Sequence, residues 1–505
     1  METLALPIAR SPLPLAGPSY AGSVSGPRSL AGPDDDARIL IREAEFGGRL
    51  VDIDIVGGTI RRIVASTGAA RSADRNAKVV EARGGAVLPG LHDHHVHLLS
   101  MAAAESSLPV DRSGIANAEQ FAAALRDEDA RLPPGQWIRA VGYHEFVAGD
   151  IDRDWLDGSG VSRPVRVQHR SGAMWVLNSA ALAAIDADAP GPAGVERGDD
   201  GRPTGRLLRV DQWLRDRTPS HPLDFAAIGR RLASYGVTGV TDLTPTTEPA
   251  DLAVLADAVR VGTLPMRLVV TGAASLAASA SPELDRGPVK VVIADHDLPS
   301  LDWVVEQFQA ARALDRTVAV HCVTREALVL AVVAWRTVGA VPGDRIEHGA
   351  VVPPDLFAEI GELGLTVVTQ PGFIRERGDQ YLTDVDPADQ PDLWRCRSLV
   401  DAGVAVAFGT DAPYGDADPW ANVRTAVDRR TRTGAVIGAG EALDAQSALD
   451  RFLGAADEPI APRRLAVGSA ADLCVLDRPL AEQLRDPTAD AVAHTVVAGR
   501  VVFAR

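Results

Sequence analysis

The sequence predicts an α/β protein: a (β/α)8 TIM barrel beside a small β-sandwich domain formed from both termini. Three observations predict it. Short apolar, strand-like runs alternate with stretches of helical period through most of the 505 residues, as parallel strands joined by crossover helices require. Both ends have a different texture, with short alternating runs around tight turns, which suits antiparallel strands. The polar residues of the central runs fall at their C-terminal ends, the rim where barrel sites gather.

At 46% hydrophobic residues the chain can bury one large core and a satellite. A net charge of −17 argues against a nucleic-acid backbone or an anionic membrane as partner, and leaves a small-molecule substrate. Cys322, Cys396 and Cys474 are odd in number and far apart, so no disulfide framework is expected. No apolar run approaches a membrane span, and no basic start precedes an apolar stretch, so a cytoplasmic protein is expected. A homodimer is left open.

Residues 1–36, rich in Pro, Gly, Ser and Ala, show no period and read as a disordered or extended arm. Apolar or alternating runs at 39–41, 51–56 and 60–64, with Gly57-Gly58 as a turn, are short strands. Runs at 472–476 and 494–503 share that texture, so 37–85 plus 465–505 read as one composite β-domain. The barrel occupies 86–464. Its first strand is read as the apolar run 86–88, bent by Pro89 and Gly90. Further strands follow at 238–242, 266–271, 289–293, 318–322, 345–349, 366–370 and 404–411, with helical periods at 301–314, 326–338, 354–363 and 392–402. An open doubly wound sheet fits the same strand count. The segment 98–235 is too long for one crossover and reads as an inserted lid or subdomain.

Beyond the bend, His95 and His97 stand two apart. In extended chain such residues point to one side, so both imidazoles can reach one cation, while His92 and His94 face away. Later strands carry Lys290, His321, His348 and Asp411. Imidazoles with a carboxylate, and no cysteine among them, suit Zn2+ or a similar divalent ion. In the insertion, His169, Arg170, Trp175 and Asn178 are candidates for substrate contact, weighed evenly against ordinary packing. Tyr414, Asp416 and Asp418, on the loop after Asp411, rank lower.

The stretches Pro-Gly-Leu-His-Asp-His-His-Val-His (89–97), Arg-Ile-Glu-His-Gly (345–349), Gly-Thr-Asp-Ala-Pro (409–413) and Gly-Ser-Ala-Ala-Asp-Leu (468–473) resemble signatures of the amidohydrolase superfamily, from about residue 37 to the end. Lys290 on an apolar strand, together with 175–182 and 201–205, resembles the amidohydrolase family 3 branch. That resemblance implies that His95, His97 and Asp411 hold one divalent ion, that His321 and His348 hold a second, and that carbamylated Lys290 bridges them. One or two ions, zinc first, are therefore expected. The implied activity is hydrolysis of an amide-type, non-peptide C–N bond of a small molecule by metal-activated water. Asp411 would serve as general base and then acid, with His348 at the developing oxyanion.

Two alternatives stand beside this reading. A heterocycle deaminase of the same superfamily is expected to carry His-x-x-Glu from the fifth-strand histidine, but the fourth position from His321 is Thr324. A non-catalytic barrel binding protein is expected to have lost ligand residues, and here every ligand position is filled. The chain departs from the branch in the Cys322-Val323-Thr324-Arg325 that follows His321, and this bears on the substrate.

Overall fold

Eight parallel strands form one sheet in sequential order: β1 (Leu91–Val96), β2 (Val237–Asp242), β3 (Arg267–Gly272), β4 (Leu284–Val292), β5 (Val318–Cys322), β6 (Arg345–His348), β7 (Thr366–Thr369) and β8 (Ala405–Phe408). This computed structural model describes residues 38–67, 77–110, 114–219, 223–276, 283–294 and 297–505, so the expected arm at 1–36 lies outside the described residues. The sheet curls until its ends meet. The Asp411 N–H donates to the His95 carbonyl at 2.7 Å and the His97 N–H to the Ala412 carbonyl at 2.8 Å. Such an approach demands glycine at 409, where a Cβ would stand 2.6 Å from the His95 nitrogen.

Helices cover the barrel because their apolar residues recur on one face. In Leu301–Arg312, Val304, Phe308 and Ala311 are buried, and Ser300 caps the first turn by accepting from the Trp303 N–H. In Arg325–Val338, Leu328, Ala331, Val332 and Trp335 are buried. They pack with Val320, Ile346, Val367 and Val406 of the strands in one core, where each fully buried large aliphatic side chain contributes roughly 1.5–3 kcal/mol. No helix joins β3 to β4 among the described residues.

Three expectations change. The apolar run expected as the first barrel strand is Val87–Pro89, which instead pairs antiparallel with Leu473–Leu476 of a terminal sheet. The histidine stretch is itself β1, buried throughout, and several of its polar groups find partners there: His92 meets Thr241 at 2.9 Å, and Asp93 accepts from the Thr410 N–H and hydroxyl. His94 is the exception: both its ring nitrogens are buried without a hydrogen-bond partner, and burial holds the imidazole neutral. The helix expected at 392–402 is formed only at Arg397–Asp401, since Trp394 takes a left-handed backbone (φ 49°) that breaks the turn. A helix at Gly372–Asp384, which the sequence reading lacked, has weak sidedness and carries Arg377.

The insertion folds around its own sheet, in the order Val195–Arg197, Pro203–Leu208, Met174–Leu177, Val165–His169, Ile138–Tyr143 and Leu108–Pro109. Phe121, Tyr143, Val165 and Val176 lie in its core. Two four-stranded sheets come from the ends of the chain, and Ile41, Ile53, Ile55, Val475 and Val496 pack in one cluster between them. The three cysteines are buried, and none of them forms a disulfide. Among the described residues no helix is long and apolar enough to cross a membrane.

Candidate metal centre

At the C-terminal end of the barrel, one ligand-type atom each from His95, His348 and Asp411 lies within 4.8 Å of the others. The remaining residues expected at the site gather around this trio. His97 Nε2 lies 3.1 Å from Asp411 Oδ1, and the His321 ring packs edge-on against His348 at 4.5 Å between centroids. Lys290 Nζ is buried without a hydrogen-bond partner. The tight trio thus joins residues from both of the expected ligand sets. His348 (φ 70°), the last residue of β6, and Asp411 (φ 56°), just past β8, both take the left-handed backbone, a cost of order 1–3 kcal/mol each that turns the side chains inward.

The electrostatics prepare these groups as ligands. Burial pushes the imidazoles of His95, His321 and His348 down, so they stand neutral with a lone pair to give. Burial alone would raise the Asp411 carboxyl, but His95, a hydrogen bond from His97, and His348 together hold it well below the usual carboxylate range. Burial lowers Lys290 in the same way. Asp93, by contrast, is pushed up to about 7 by burial despite its bonds from Thr410.

A ring of partners orients these side chains, and the sequence reading did not assign them. His95 Nδ1–H donates to Glu347 Oε2 at 2.6 Å, which leaves its Nε2 toward Asp411. Glu347 is fully buried and in turn accepts from Arg345 Nε at 2.5 Å, while Arg345 Nη2 ties to the His94 carbonyl. Thr244 meets His97 Nδ1 at 3.2 Å and Gln370 meets His348 Nδ1 at 2.9 Å. One signal for Glu347 was available: a carboxylate within a buried strand is costly without a partner.

A cavity of about 320 Å³ lies between the barrel end and the insertion, lined by Ser100, Met101, Gln168, His169, Arg170 and Tyr414 among others. Two of the four insertion candidates therefore face it. Trp175 and Asn178 do not line it. Trp175 is buried with its Nε1–H on Asp211 at 2.8 Å. Asn178 is a helix cap whose Oδ1 accepts from the Val165 and Ala181 N–H groups and whose Nδ2 donates to the Arg163 carbonyl. Tyr414 seals the join. Its ring packs over Gly172, where a Cβ would stand 2.6 Å away, and burial pushes its hydroxyl up to about 12. Asp416 and Asp418 serve their own loop, where Asp418 caps the helix Pro419–Asp428.

A model of the amidohydrolase family matches residues 78–503. N-substituted formamide deformylase from Arthrobacter pascens is 26% identical over 486 residues, covering 84% of this chain and 89% of that protein. Among solved structures, an uncharacterized metal-dependent hydrolase from Pyrococcus horikoshii superposes with a TM-score of 0.68 at 20% identity, covering 91% of this chain and 99% of that one. Another from Pyrococcus furiosus does so at 0.64 and 21% identity, covering 88% and 98%. At this identity the structural likeness speaks for the fold.

Proposed function

The chain belongs to the amidohydrolase family, and on that premise we propose that it hydrolyses an amide-type, non-peptide C–N bond of a small molecule at a divalent, zinc-type centre. The observation that carries this reading is the buried trio of His95, His348 and Asp411. Their ligand-type atoms converge, His95 Nε2 is buried without a hydrogen-bond partner, and Asp411 Oδ1 faces only the ring nitrogens of His95 and His97. Neutral imidazoles and an ionised carboxylate, with Glu347, Thr244 and Gln370 on the outer ring nitrogens, are a donor set that fits such an ion. The choice of a C–N bond is supported by the formamide-acting relative from Arthrobacter pascens.

His95, His97, His321, His348 and Asp411 are the proposed ligands. Lys290, with a buried amine and no partner, would in its carbamylated form offer an anion between two ions. A divalent ion held there supplies Lewis-acid polarisation of the carbonyl and lowers the pKa of water from about 16 to about 7. Asp411 takes the proton from the attacking water and returns it to the nitrogen, so that the poor amine leaving group departs neutral. His348 does not keep the expected oxyanion role on this reading, because Gln370 occupies its Nδ1 and its other nitrogen serves as the ligand, which leaves no N–H to donate.

The test is elemental analysis of protein prepared without chelator, beside hydrolysis of a panel of N-substituted amides. We expect one or two divalent ions per chain, with activity abolished by chelation and restored by the metal. A folded, metal-free and active sample would overturn the reading.

A further inference from the structure

Deepening that reading, and resting on it, we infer that the substrate carries a carboxylate away from its scissile bond, and that the Arg170 guanidinium receives it. Arg170 lines the cavity between insertion and barrel. Among the described residues its side chain makes no ion pair, and the acids whose charge reaches it are Glu145 and Asp384. Glu145 is engaged by two imidazoles: His169 Nε2 lies 3.3 Å and His144 Nε2 3.2 Å from its Oε2. Backbone N–H groups of Ser171 and Phe146 donate to the Nδ1 atoms of these rings, so both Nε2–H groups point at the carboxylate. Asp384 is exposed.

More positive charge gathers behind Arg170. Arg377 donates to the carbonyls of Arg170 and Tyr414, which fixes the backbone of both cavity walls. Arg139 binds Ser107 Oγ at 2.5 Å and Gln168 Oε1 at 3.3 Å, two lining residues, and lies over the Trp175 ring. Neither pairs with a carboxylate among the described residues. Arg231 is the exception, since it pairs with Glu105. Burial and the neighbouring Arg377 bring the Arg170 guanidinium down to about 10, and burial with Arg166 brings Arg139 to about 9. In a chain of net charge −17, this is a local excess of cations around one cavity. A guanidinium's planar donor pair matches a carboxylate, and partial burial strengthens that pairing.

The test uses matched ligands of equal size, phenylacetate and phenylacetamide. Their binding to the metal-loaded enzyme, Arg170→Met and Arg170→Lys is measured by calorimetry at equal metal content. Turnover of N-formylphenylalanine is compared with that of its carboxamide. We expect the native enzyme to prefer the carboxylate of each pair by at least about tenfold. Arg170→Met should lose that preference through Kd and KM while handling the neutral ligand as before, and Arg170→Lys should keep part of it. Equal binding, binding of neither ligand, or a preference that survives in Arg170→Met would overturn the inference, the last by assigning the carboxylate to the metal centre. Carboxylate preference without hydrolysis of any amide would leave this subsite standing and bring down the hydrolytic reading alone.

Discussion

The barrel end and the insertion face each other across one cavity and handle charge in opposite ways. On the barrel side, outer ring nitrogens are occupied by Glu347, Thr244 and Gln370. His95 Nε2 and Asp411 Oδ1 remain turned inward. Acceptors held in place before any ligand arrives are what a cation needs. On the insertion side Glu145 and Asp211 are engaged by their own neighbours, while Arg170 and Arg139 make no ion pair with a carboxylate among the described residues. On the proposed reading these two regions would serve the two ends of a polar substrate, a carbonyl to be polarised and an anion to be anchored, with Ala412 and Tyr414, close in sequence to Asp411, at the barrel edge of the cavity.

This contrast can be broken or sharpened by three substitutions. The largest effect is expected from Asp411→Asn, which keeps the shape and much of the coordination but removes the proton carrier. On an amide identified by the panel, kcat should fall by at least about a hundredfold, the lower end of what general acid–base catalysis supplies, with metal retained. A variant that holds its metal and turns over near the parental rate would take Asp411 out of proton transfer. Next comes Glu347→Gln, which leaves His95 an uncharged acceptor and strips Arg345 of its counter-charge. Metal affinity should drop about 10–100-fold, read by competition with a chromophoric chelator, and unchanged affinity would show that orientation of His95 does not depend on Glu347. The smallest catalytic effect is expected from Asn178→Ala in the insertion. It removes a cap and strands the buried Val165 N–H, so stability should fall by about 2 kcal/mol, measured by urea unfolding, while kcat of the folded enzyme stays unchanged. A kcat loss without destabilisation would move Asn178 into the site.

Much of the barrel was legible because its signals are local. Strand and helix periods are read over a few residues, and five of the seven later strands match the expected runs to within a residue or two at each end. The polar residues at the rim were legible for a related reason. Burying His95, His321, His348, Lys290 or Asp411 in an apolar strand context is costly, so their presence there signals chemistry. The insertion was legible only as an excess of length, and its candidates divided evenly. His169 and Arg170 line the cavity, whereas Trp175 and Asn178 are absorbed by packing and capping.

By itself, the sequence determined the α/β alternation, the antiparallel texture of both ends and the identity of the residues at the barrel rim, because each depends on a residue and its near neighbours. Tertiary structure alone decided the rest. It placed Val87–Pro89 in a terminal sheet and made the polar run Leu91–Val96 a barrel strand, since burial of such a strand depends on partners such as Thr241 and Thr410, 149 and 317 residues away. It drew the tight trio from both expected ligand sets, and it joined Glu347 to His95 across 252 residues. A hydrogen bond is a fact of distance and direction, and chain separations of that size leave no periodic trace from which to read it.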